Sequence, residues 1–168
     1  VGSEMCIRDR QYTLSIRLST DGFSFSIYNP IHDNSLSTIE KETDTSLSLT
    51  ANLKATFRES DFLNHSYKRV NIMMADKRFT IVPLELFEEE QAELLFYHNH
   101  QKRENETVIC NILKKNNVAI IFGMDKSAHT FLSEQYPEAH FYSQSTPLID
   151  YFSAVSYTHL RAHETTLH

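Results

Sequence analysis

Five consecutive apolar residues, Val118-Ala119-Ile120-Ile121-Phe122, form a run with no polar face. As a strand it has nothing to turn toward water, so it has to lie centrally in a sheet and be covered on both sides. This requirement constrains the architecture more than any other segment does, because helices must then be available to cover the sheet. At 168 residues and 40% apolar composition the chain can bury a core of that size. It contains no apolar run near the roughly 20 residues that a membrane-spanning helix needs.

The rest of the chain supplies the layers. Tyr12, Leu14, Ile16 and Leu18 alternate with polar residues, and Phe23, Phe25 and Ile27 resume the alternation after Thr20-Asp21-Gly22. That pattern predicts a β-hairpin. Pro30 ends its second strand, and Leu36 to Glu42 reads as a third, polar strand near an edge. Leu49, Leu53 and Phe57 recur every four residues without Gly or Pro, which predicts an amphipathic helix ending near Leu63. Val70 to Ala75 and Arg78 to Val82 read as a second hairpin around Asp76-Lys77. Glu88, Glu89 and Glu90 open a helix that finishes around His98 to Arg103, acidic at its start and basic at its end as the macrodipole favours. Thr107 to Leu113 pairs with the apolar run across Lys114-Lys115-Asn116-Asn117, and Gly123 reads as a turn residue before the next helix. Asp125 can cap that helix, from Lys126 to Tyr136, and Pro137 stops it. Ala139 to Tyr142 is a further strand, and Thr146-Pro147 marks the start of a last helix. The expected class is α/β with a mixed sheet, hairpins alternating with helices.

Both ends of the chain read as foreign. Val1 to Asp9 resembles the translation of a transposase sequencing adapter, and Val155 to Thr165 resembles the same adapter read on the opposite strand. The native stretch is therefore expected to be 11–153, a gene fragment, with 1–10 and 154–168 adapter-derived. On that reading Cys6 and the histidines His159, His163 and His168 carry no function. Cys110 is then alone, which excludes an intrachain disulfide and suits a cytoplasmic protein. The net charge stays at −6, without a basic block, which speaks against nucleic acid and anionic membranes as partners.

Three pieces carry a family resemblance: Leu14 to Tyr28, Arg78-Phe-Thr-Ile-Val-Pro83 with Leu86-Phe87 shortly after, and the helix between them. Together they resemble an uncharacterised bacterial family, domain of unknown function 3822 (DUF3822). The resemblance implies an actin-like ATPase fold of two ribonuclease-H-like lobes, similar in plan to pilus-assembly actin homologues. It makes 11–153 the first lobe with its insertions, and it implies a second, C-terminal lobe as a missing partner. Three antiparallel strands, a crossover helix and a buried strand is how a ribonuclease-H-like lobe begins, so the residue-level reading reaches the same plan.

In actin-like ATPases the turn of the first hairpin cradles phosphate with a sequence of the type Asp-x-Gly-Thr or Asp-x-Gly-Ser. Here the place holds Ser19-Thr20-Asp21-Gly22-Phe23-Ser24. Asp21 and Gly22 are adjacent, as a tight hairpin turn wants them, and Phe23 stands where a small hydroxyl residue would face the phosphates. Ser19, Thr20, Asp21 and Gly22 are therefore weighed both as a structural turn and as phosphate contacts, the turn being favoured. No cofactor is assigned on the first reading; ATP with Mg²⁺ is the alternative.

Other constellations point away from chemistry. A ribonuclease-H-type nuclease needs a metal-binding carboxylate within the first strand, and Tyr12 to Ser19 has none. His98-x-His100 has a spacing of two, which on a helix separates the side chains, so no metal site is assigned. Cys110 alternates with Val108 and Ile112 and reads as a small buried hydrophobe rather than a nucleophile. No catalytic residue is assigned. The expectation is a binding or scaffold module with a degenerate nucleotide site, binding an unknown protein partner; the alternative is an ATPase of the same fold.

Overall fold

The computed structural model describes residues 12–29 and 37–149. In chain order the elements are β1 (Thr13–Leu18), β2 (Gly22–Tyr28), β3 (Ser37–Glu42), α1 (Leu49–Glu59), β4 (Arg69–Met74), β5 (Phe79–Pro83), α2 (Ala92–Asn99), β6 (Glu106–Leu113), β7 (Val118–Asp125), α3 (Lys126–Gln135) and β8 (His140–Ser143). The chain divides into two compact units. Among the described residues the first comprises 12–29, 37–75, 104–107 and 124–142, and the second 76–103, 108–123 and 143–149.

The first unit is built on a five-stranded sheet in the order β3-β2-β1-β4-β8. β1, β2 and β3 form the expected antiparallel set, with β3 at the edge. β4 lies parallel to β1, so α1 is the crossover between them. The alternation read in the sequence becomes a continuous buried row: Ile16 stands opposite Phe25 on one side and Ile72 on the other, and all three are fully buried. α1 starts at Ser48, whose Oγ accepts from the Ala51 amide at 3.1 Å. It packs on α3, with Phe57 edge-on to Phe131 at 5.1 Å between ring centroids. α1 ends at Glu59, short of the expected Leu63. Ser60 is extended, and a separate 3-10 turn over Asp61–Asn64 buries Leu63.

The second unit holds a three-stranded sheet, β5-β7-β6, with the apolar run at its centre. Ala119, Ile120, Ile121 and Phe122 are all buried. Ala92 and Phe96 of α2 cover one face against Val82 and Ile121. Asn111, one residue past Cys110 and so on the opposite face of β6, accepts at Oδ1 from the Ser143 amide (3.1 Å) and the Thr146 hydroxyl (2.8 Å).

Four further expectations are corrected. β4 and β5 are not a hairpin: β4 joins the first sheet beside β1, whereas β5 pairs antiparallel with β7, Phe79 opposite Phe122. Gly123 lies inside β7 rather than in a turn. The helix after the three glutamates is shorter than expected, because Glu89–Gln91 is a 3-10 turn and α2 begins at Ala92. The last helix is entered at residue 145, before Thr146-Pro147, and the Thr146 hydroxyl is bonded to Asn111 instead of capping.

Candidate functional site

The hairpin of β1 and β2 brings Ser19, Thr20, Asp21 and Gly22 together at one turn. The Ser19 amide donates to the Gly22 carbonyl at 3.0 Å. The Ser19 hydroxyl donates to that same carbonyl at 2.8 Å and accepts from the Gly22 amide at 3.2 Å. Thr43, just past β3, holds the tip from outside: its amide donates to the Asp21 carbonyl (3.3 Å) and its hydroxyl to the Thr20 carbonyl (3.0 Å). Thr20 and Asp21 are exposed.

Gly22 is not there for a left-handed backbone, since no described glycine has positive φ. A Cβ on it would stand 2.6 Å from the Lys41 carbonyl oxygen, so the close approach of β3 demands glycine. Phe23 faces the core, buried and edge-on to Phe25 at 6.3 Å between centroids. A recess of about 280 Å³ beside the turn has the acidic Asp21, Glu40 and Glu42 and the basic Arg17 and Lys41 among its lining residues. A phosphate placed there meets more negative than positive charge.

A larger recess of about 640 Å³ lies where β1, β4 and β8 begin, with Thr13, Lys68, Arg69 and His140 on its rim. Its polar groups are largely committed to the framework. The Arg69 guanidinium donates to Asn71 Oδ1 (2.9 Å) and to the Tyr142 hydroxyl (2.8 Å). The Tyr67 and Tyr136 hydroxyls donate to the carbonyls of Phe62 and Leu63. The sequence carries no local signal for this recess, because residues 64–70 and 135–140 build it from opposite sides of a long chain separation.

The remaining candidates take structural places. His100 Nε2 lies 3.0 Å from the Phe79 carbonyl and 3.1 Å from the Thr80 hydroxyl, and its ring stacks on Phe96 at 4.6 Å, tying α2 to β5. His98 is exposed. Among the described residues no group of three or more His, Cys, Asp or Glu side chains is placed to hold a metal ion. Cys110 is half-buried against the cluster of Val82, Phe96 and Ile121, and burial, then the Glu89 charge, pushes its thiol pKa up. That is the wrong direction for a nucleophilic thiolate. The Asp125 carboxylate is held by three donors: Oδ1 accepts from the Ala128 amide (2.9 Å) and the Thr50 hydroxyl (3.3 Å), Oδ2 from Asn105 Nδ2 (3.2 Å).

A family model for proteins of unknown function, DUF3822, matches residues 5–167. The chain belongs to the DUF3822 family. A crystal structure of a Bacteroides thetaiotaomicron protein with an actin-like ATPase fold and unknown function is 78% identical to it, with a TM-score of 0.85. The match covers 89% of this chain and 58% of that one. No curated protein matches it.

This DUF3822 chain thus has the actin-like ATPase fold, and the pieces that carry the family likeness are framework. Leu14 to Tyr28 is the β1–β2 hairpin, and Arg78 to Pro83 is β5 with the residue before it. β1, where a ribonuclease-H-type nuclease would carry a metal-binding carboxylate, reads Thr-Leu-Ser-Ile-Arg-Leu.

Proposed function

We propose that this DUF3822 protein is a cytoplasmic binding or scaffold module whose nucleotide site has degenerated. The observation that carries the reading is the closure of the first hairpin on itself. The Gly22 amide and the Ser19 hydroxyl are the donors such a turn would aim at a phosphate; here the amide donates to the Ser19 hydroxyl, and that hydroxyl donates to the Gly22 carbonyl. Phe23 in the core and the acidic surroundings of the turn support the same reading. No described helix is long and apolar enough to cross a membrane.

A second reading is favoured by one observation. The chain spans 58% of the length of the Bacteroides protein, so an ATPase site completed by a second lobe fits the same fold. The two readings separate on a full-length, two-lobed protein. If the turn is structural, ATP with Mg²⁺ leaves its melting temperature unchanged. A ligand-dependent rise that Asp21→Ala abolishes would overturn the degenerate-site reading and establish the ATPase.

A further inference from the structure

The two most exposed large hydrophobic side chains among the described residues, Leu86 (70%) and Leu94 (72%), lie in the most acidic part of the second unit. Residues 84–97 contain Glu85, Glu88, Glu89, Glu90 and Glu93 and no Lys, Arg or His. All five carboxylates are exposed. In α2, Ala92 and Phe96 face the core, Leu95 and Tyr97 pack against it, and Leu94, two residues from each core position, points outward among the exposed Glu93 and His98. A helix that presents a large apolar side chain on its outward side as well as its inward side suits a partner that covers it.

We infer that the outer face of α2 and the acidic turn before it form a docking surface for a protein segment that carries Lys or Arg around apolar anchors. The charge selects this occupant. Five exposed carboxylates repel nucleic acid and anionic lipid, and a second copy of the same face would set five glutamates against five. A basic amphipathic segment offers the Leu contacts and the opposite charge together. The inference rests on the binding-module reading above and supplies the chemistry of its partner.

The test uses a synthetic 15-residue amphipathic helix of Leu and Lys with one Trp on its apolar side. The protein contains no Trp, so the emission reports the peptide alone. Binding with a blue shift is expected, at least about tenfold weakened both by Leu86→Ser with Leu94→Ser and by Glu88→Lys with Glu89→Lys. Glu40→Lys with Glu42→Lys, on β3, is expected to change it less than about twofold. Equal binding of a scrambled peptide, indifference to the two Leu substitutions, or a dimer in sedimentation that Leu94→Ser dissolves would each overturn the assignment. A melting shift with ATP bears on the hairpin alone and leaves this titration unaffected.

Discussion

The Lys41 carbonyl oxygen would stand 2.6 Å from a Cβ on Gly22, closer than any real contact of that kind. The obstacle is backbone in a paired strand, with Gly22 opposite Glu42, so it cannot rotate away as a side chain would. Gly22→Ala is therefore expected to force β2 and β3 apart and to cost about 2 kcal/mol, the range of an overpacked site. Chemical denaturation measures it. An unchanged midpoint would mean that β3 shifts freely and that the glycine has another purpose.

Asp125 closes three hydrogen bonds from three different segments. Asp125→Ala removes the cap of α3 and the tie to Thr50 and Asn105, and an expected loss of about 2 kcal/mol follows from the upper range for caps. Asp125→Asn, which keeps an acceptor at the cap, is expected to recover more than half of it in the same denaturation experiment.

Tyr136 is buried and donates to the Leu63 carbonyl at 2.5 Å. Tyr136→Phe leaves that carbonyl without its donor and is expected to lower stability by about 1–2 kcal/mol at pH 7.

The same residue gives a pH dependence. Burial first, and Tyr67 second, push its hydroxyl far above the ordinary 10.0. The unfolded chain releases this proton above about pH 10 while the folded chain keeps it, so the stabilisation is complete below pH 10 and falls as pH rises beyond it. The gap between wild type and Tyr136→Phe should therefore narrow between pH 10 and 11. A constant gap over that interval would contradict the assignment.

His129 on α3 lies against the Phe141 ring, 4.5 Å between centroids, and burial lowers its pKa below 6.5. Here the unfolded chain takes up the proton first. Stability is held above about pH 6.5 and declines as pH falls below it. Melting temperatures recorded from pH 7.5 to 5 should fall less steeply for His129→Phe than for wild type.

How far the site was legible depends on where each residue's partners lie. The Ser19 to Gly22 turn is readable because both strands beside it alternate, and Asp125 because a cap acts on an amide three residues away. The purpose of Gly22 is not readable, since the atom that requires it belongs to Lys41. The recess between residues 64–70 and 135–140 is silent for the same reason, and His100 looks like a helix-end charge until Phe79 and Thr80 come beside it.

The sequence by itself determined that the Val118 to Phe122 run is a central strand, that Tyr12 to Asn29 is a hairpin and that Asp125 starts a helix. Each follows from local periodicity, from hydropathy or from a hydrogen bond within one turn. Only the tertiary structure decided that β4 and β5, four residues apart in the chain, serve different sheets. That choice is made by pairing β4 with β1 and β5 with β7, and a strand's own side chains record its faces but not the identity of the strand at its edge.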